Sequence, residues 1–347
     1  MRDISFRFVV VRNGADYDEL HPADKSAPQL RMSASGEIKT SLSGNFLNPG
    51  DRVNWLTDEI RPELIVDGVP HNLGIYLPAA VRMQSNDTRD AVHLEAYDRN
   101  WRVKDNYTDS LLHLDAGTNY IDAVIQLLTA CGISLISRIS TSAALSEARE
   151  DWNIGSSYLK IVNDLLLEIN YNPLWFDADG LAILEPVSVP TAANIEHTLD
   201  DTDIRSLIRP TISRETDIYR APNVIICVCS NADKAGPMIA TSENTNPQSP
   251  LSIARRGRRI AKVIQVSNIA SQEDLQAYAD RLRNETMITG ETIVLKTGLL
   301  PGFGVNDVVA VRYGDLFAVC LERAWTMELA PGGEMTHTLE KVVINLG

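Results

Sequence analysis

Long apolar runs are missing from this sequence. A membrane-crossing helix needs roughly 18 or more consecutive apolar residues, and the 347 residues contain no such stretch. The N-terminus, MRDISFRFVVVRNG, has a short apolar run broken by Arg7, which fits neither a signal peptide nor a span. The expectation is a chain made in a cytoplasm with no anchor of its own. Cysteine is scarce. Cys131, Cys227, Cys229 and Cys320 are too few for a disulfide framework, and no CxxC pair suggests zinc. Reduced, buried thiols are expected. Aromatic residues make up only 6% of the chain, and Trp55, Trp101, Trp152, Trp175 and Trp325 are scattered. That argues against a clustered platform for carbohydrate or receptor, and for core packing.

The motifs of common chemistry are missing too. HExxH, GxSxG, the phosphate-binding GxxxxGKS/T and GxGxxG are all absent. The nearest glycine cluster, Gly298 to Gly304, contains Pro301 and no lysine, and reads as a turn between strands. His21, His71, His93, His113, His197 and His337 include no HxH and no pair at helical spacing, so neither a metal nor a cofactor is expected. The turn Asp177-Ala178-Asp179-Gly180 lacks the further acids of a calcium loop. Cys131 is the one thiol worth testing as a nucleophile. It closes a helical pattern, and a helix C-terminus and an apolar face both raise a thiol's pKa. Core is its expected place, and the chain is not expected to be an enzyme.

Charge is present in quantity. Against 32 Lys and Arg stand 46 Asp and Glu, a formal net charge of −14. Such a chain is a poor grip for DNA or an anionic membrane, but DNA would slide past it without sticking. One positive cluster stands out: Arg255, Arg256, Arg258 and Arg259 around Gly257. It reads either as a solvated turn or as an intersubunit contact, since arginine pairs well with a neighbour's carboxylates. No aromatic residues interleave, which disfavours a nucleic-acid role.

Periodicity gives β, then α/β, then β. Strands are expected at Ile4–Arg12, 37–46 and 92–97, with a hairpin about Asp67-Gly68 joining 63–67 to 73–77. Ile121, Val124, Ile125, Leu128 and Cys131 share one helical face, with Asn119 at its start and Gly132 after it. A second helix runs from about Ser156 to Tyr171, and a hairpin brackets residues 177–180. Val224–Val228 reads as a strand buried on both faces, and Ser230 to Pro250 as an exposed loop. Ser271 starts a helix with Leu275, Tyr278 and Leu282 inward. Strands at 260–266, 292–296, 308–313, 317–326 and 337–345 complete the pattern.

Several stretches resemble minor tail proteins of long-tailed phages. They are Asp58 to Gly68, Leu73 to Pro78, Tyr97-Asp98-Arg99, Gly117 to Asp122, Trp152 to Gly155, Leu159 to Tyr171, Pro222 to Val224, Asn244 to Pro250 and Arg256 to Ile260. They occur in order over roughly residues 52 to 285. The wider group that the chain is similar to is the baseplate hub, or tail-tip, family. That resemblance implies a β-rich α+β fold, with two small tail-tube-like β-barrels and an α/β region between them. It divides the chain into an N-terminal barrel (1–105), a middle α/β domain (106–200) and a C-terminal barrel with one helix (201–347). It implies a structural ring, trimeric in the family, that joins the tail tube to the spike or fibre in the virion tail and lets DNA through. The partners implied are further copies of the chain, a distal tail or tail-tube protein, a spike or fibre protein, and the tape measure protein. The alternatives are a tail-associated peptidoglycan hydrolase and a host-receptor-binding module. The chain ends soon after its last strand, which leaves no room for the hydrolase extensions of longer relatives.

Overall fold

The computed structural model describes residues 2–23, 27–86, 89–188, 190–215, 222–229, 236–266, 269, 271–288 and 291–342. The first part is all strand: β1 (Ile4–Arg12), β2 (Ala15–Leu20), β3 (Gln29–Ser33), β4 (Thr40–Leu47), β5 (Glu59–Val66), β6 (Val69–Asn72), β7 (Tyr76–Asn86) and β8 (Arg89–Asp98). Helix α1 (Asn100–Lys104) leads into α2 (Tyr120–Ala130), β9 (Ile136–Arg138), α3 (Tyr158–Glu168), β10 (Trp175–Phe176) and β11 (Ala182–Leu184). The last part holds β12 (His197–Asp200), β13 (Ile208–Glu215), β14 (Val224–Cys229), β15 (Met238–Glu243), α4 (Ile253–Arg256) and β16 (Ala261–Val266). It continues with α5 (Gln272–Ile288), β17 (Thr292–Thr297), β18 (Val308–Tyr313), β19 (Leu316–Glu328) and β20 (Met335–Lys341). The fold is α+β and β-rich, as expected.

Local rules explain much of this. Asp67 and Gly68 take φ of 50° and 82°, the two positive values that a tight two-residue hairpin demands. The strand that returns is β6, at 69–72, and not 73–77 as the apolar run suggested. Leu73 and Tyr76 are buried where the chain turns away towards β7. The Asn119 side chain accepts from the N–H groups of Ile121 and Asp122 and so starts α2. Gly132 ends it at φ 77°. Leu159, Val162, Leu165, Leu166 and Ile169 are all buried on the inner face of α3. The expected loop from Ser230 to Pro250 is corrected in part. Residues 230–235 lie outside the described set, and 238–243 form β15, paired antiparallel with β14. Val224–Cys229 is packed mainly on one face, with Ile226 and Val228 half-buried, and not on both. Of the last expected strand, residues 343–345 lie outside the described set.

Fourteen described strands join in one sheet. Its main path is β13-β17-β20-β19-β3-β4-β8-β7-β5-β1-β2, with β12, β18 and β6 branching from it. Within the described residues that path does not close on itself, so the expectation of closed barrels is corrected. The reason is β19. Its first half pairs with β18, its second half with β3 on the same edge, and β20 lines the opposite edge. A bulge between Glu322 and Ala324 separates the two halves on the β20 side. One strand therefore belongs to both ends of the chain. The cores follow suit. Phe8, Leu42, Phe46, Leu64 and Leu94 pack with Trp325, Met327 and Met335. A second core, under β17, β18 and β20, holds Ile293, Val309, Val311 and Leu339. The middle stretch has a core of its own around α2 and α3. A small three-stranded sheet, β15-β14-β16, packs on α5.

Candidate functional site

The arginine turn is built by buried polar groups from two other places in the sequence. Ser252 caps the four-residue α4 by accepting from the Arg255 N–H, and Gly257 closes it at φ 65°. Asn223, fully buried, donates from Nδ2 to the Arg258 carbonyl at 2.9 Å, and its Oδ1 accepts from the Ile260 N–H at 2.6 Å. Its own carbonyl takes the Asn244 N–H, and the Asn244 carbonyl takes the Ile253 N–H. Asn244 Nδ2 also donates to Ser249 Oγ at 2.9 Å. Three of the segments that carried the resemblance, 222–224, 244–250 and 256–260, thus meet in one unit. Arg255, Arg258 and Arg259 are exposed and Arg256 is half-buried. Arg255 Nε donates to the Pro247 carbonyl at 3.0 Å, and Arg259 pairs with Glu243 at 2.6 Å. The structure brings all four arginines to one turn, with Arg255, Arg258 and Arg259 at the surface.

The other resemblance segments supply braces. Asp58 receives Nε and Nη2 of Arg12 at 2.8 and 2.7 Å, and the Asn54 N–H at 2.8 Å. The Arg12 guanidinium holds its carboxyl below the usual range. Glu59 takes Arg99 at 2.8 Å and Arg102 at 3.3 Å. Arg99 also donates to the Gly180 carbonyl at 2.9 Å, tying β5 to the hairpin of the middle stretch. A side chain at Gly180 would meet Ile75 Cδ1 at 2.7 Å, so only glycine fits that contact without a shift. Asp98 is buried and accepts from the N–H groups of Thr40 and Asn100 at 2.7 and 2.9 Å. Burial pushes its carboxyl up to about 6. Lys39, just before β4, is buried. Its ammonium donates to the carbonyls of Ala34 and Gly36, and burial lowers its pKa.

Reactive chemistry finds little footing. All four cysteines are free and buried. Burial pushes Cys131 up to about 11 and Cys320 up to about 12, so neither offers a thiolate. Sequence reading did miss one constellation. Thr297 Oγ lies 3.0 Å from His337 Nε2, and His337 Nδ1 lies 2.7 Å from Glu322. This is the order of a hydroxyl–imidazole–carboxylate relay. All three residues are fully buried, however, and the Thr297 hydroxyl donates to the Gly298 carbonyl at 2.7 Å. A substrate has no way to reach it, and burial holds the Glu322 carboxyl above its ordinary pKa. No local motif could have revealed residues so far apart. In the middle stretch, Arg149 pairs with Glu168 at 2.9 Å, and the Tyr120 hydroxyl donates to the same carboxylate at 2.9 Å. Among the described residues, no group of three or more His, Cys, Asp or Glu is arranged to hold a metal, and no helix is long and apolar enough to cross a membrane.

Comparison with known proteins gives no match to a family model and none to a curated protein. Solved structures do match over nearly the whole chain. A tail protein from Neisseria meningitidis MC58 superposes with a TM-score of 0.67 at 14% identity, over 97% of this chain and 96% of its own. The 43 kDa tail protein of prophage MuSo2 from Shewanella oneidensis gives 0.67 at 10% identity, over 96% and 98%. The fold is that of phage tail proteins. The prophage tail protein gp18 from Listeria monocytogenes shares it, with a TM-score of 0.59 at 11% identity, over 96% of this chain and 94% of its own.

Proposed function

We propose that this chain is a structural component of a phage tail tip, a hub ring that joins the tail tube to the spike or fibre and lets DNA pass. The observation that carries the reading is the match to tail proteins over nearly the whole length of both chains. The two β parts, β1–β8 and β12–β20, would be the two tube-like units of the ring, with the middle α/β stretch outside them. The core under β1–β8 borrows Trp325, Met327 and Met335 from β19 and β20, a second core lies under β17, β18 and β20, and β19 links them. The ring would be a trimer. Its neighbours would be a tail-tube or distal tail protein, a spike or fibre protein and the tape measure protein, within the virion tail. A net charge of −14 suits a channel that DNA must leave freely. Buried thiols and a sealed relay give no support to a lytic role.

Electron microscopy of the purified protein tests this reading. Closed rings with a central opening are the expected result. A chain that stays monomeric both in solution and in particles would end the proposal. A zymogram on bacterial cell walls is expected to stay blank.

A further inference from the structure

The charge of this chain is unevenly placed. Residues 106–200 hold 13 Asp and Glu against 3 Lys and Arg, a net −10 of the total −14. Residues 201–347 hold 17 against 16 and are close to neutral. The arginine turn belongs to that second part.

The turn stands at one end of a sheet face that is largely open among the described residues. In the β15-β14-β16 sheet, Ile225, Cys227, Cys229, Ala240 and Val266 pack towards Leu275, Tyr278 and Ala279 of α5. The alternate residues lie on the other face. There Ile226 sits between Thr241 and Val263, and Val228 between Ile239 and Gln265. Ile239 is 56% exposed and Val263 58%. A solvated sheet face is ordinarily polar, so an apolar one marks a contact. It cannot serve the chain's own middle stretch. The module leans on that stretch through the opposite side, where Leu167 joins the α5 core and Asn170 donates to the Asp274 carbonyl at 2.9 Å. The outer face therefore points away.

The middle stretch has the matching surface. Residues 107–118 run antiparallel to 145–157, bridged at Tyr107 with Ser157 and at Leu114 with Arg149. This ribbon exposes Tyr107, Leu111 and Ile154 by 55%, 57% and 63%. Around them stand the exposed acids Asp109, Asp115, Glu147, Glu150 and Asp151. We infer that the outer face of the three-stranded sheet, with its arginine turn, docks on this acidic ribbon of a second copy of the chain. The inference rests on the ring reading above and names its contact. The two surfaces are different, so the contact is head-to-tail, and repeating it generates a ring wherever the rotation closes. Apolar side chains meet at the centre while arginines and carboxylates pair at the rim, the usual anatomy of an interface.

Charge reversal in one chain tests the pairing. Wild type is expected to assemble by light scattering, with its mass falling as salt rises. Arg258→Glu with Arg259→Glu should leave a folded monomer, and so should Asp109→Lys with Asp115→Lys and Glu147→Lys. The chain carrying all five changes has both surfaces inverted and should assemble again. These residues are exposed, so melting temperatures should match wild type. If a reversed chain fails to fold, the neutral set Arg258→Gln, Arg259→Gln, Asp109→Asn and Asp115→Asn replaces it and should flatten the salt dependence. Assembly of either one-sided variant like wild type overturns the pairing. So does a five-fold variant that is folded yet monomeric, or a neutral set with unchanged salt dependence. In each of those cases an assembling wild type leaves the ring reading standing. A monomeric wild type overturns both.

Discussion

The buried side chains of the core around α2 and α3 all come from residues 103–184, with Ile38 packed against them from outside. The core under β1–β8 instead takes Leu299, Trp325, Met327, Leu329 and Met335 from the far end of the chain. The buried charges differ in the same way. In the middle stretch Arg149 and Glu168 neutralise one another. At the end of β8, Asp98 is held by the N–H groups of Thr40 and Asn100 and by the Thr40 hydroxyl. One region is self-contained and the other is shared, and the two should respond to damage differently.

The hardest blow falls on the middle stretch. Leu128→Asp or Leu165→Asp puts a carboxylate on a fully buried helix face, which costs at least about 4 kcal/mol. Loss of α2 and α3 should show in hydrogen exchange before the sheets open. Unchanged melting would mean that the face is not buried. In the shared region Trp325→Ala should cost roughly 3–5 kcal/mol. It should loosen β1–β8 and β17–β20 together and leave the middle amides protected. Loosening of only one end would break the comparison. Arg149→Ala strands the Glu168 carboxylate and should cost roughly 3–5 kcal/mol by denaturant melts. Arg149→Met with Glu168→Leu should cost less than that single change, and a double variant that is worse would refute the account.

The smallest effect is one of pH. The folded carboxyl of Asp98 titrates at about 6 against an ordinary 3.8. The folded state keeps that proton to higher pH than the unfolded chain does. Its contribution is therefore greatest below about pH 4, declines through pH 4–6 and is level above, a difference of about 3 kcal/mol. The melting temperature of wild type minus that of Asp98→Asn should fall across that window. A flat difference would show that burial does not govern Asp98. Asp58 works in the opposite sense, since Arg12 lowers its pKa and protonation in acid removes the bond.

The sequence made the locally periodic elements legible. Phe8 to Val11, the α3 face and the Asp67-Gly68 turn follow from side-chain period and φ alone. Strand β2, Ala-Asp-Tyr-Asp-Glu-Leu, was not legible because it is an edge strand with little to bury. Strand β15 hid among Ser, Asn and Pro, and β13 carries Pro210. Lys39 was not legible as buried, because the carbonyls of Ala34 and Gly36 that receive its ammonium come from a turn. The four arginines were legible as a cluster. Their frame was not, because Asn223 and Asn244 act on them from 35 and 14 positions before Arg258. The relay of Thr297, Glu322 and His337 exists only once three strands are laid side by side.

The double allegiance of β19 also sets an order in time. Leu30 pairs with Met327, about 300 residues further along. On a ribosome that adds on the order of 5–20 residues per second, β3 emerges tens of seconds before its partner exists. Until then one edge of β3 is bare backbone, able to pair with any strand nearby. The middle stretch, whose buried core is drawn from residues 103–184, folds in that interval. The last strands to be made close the first sheet, so a nascent or truncated chain is left with an open edge.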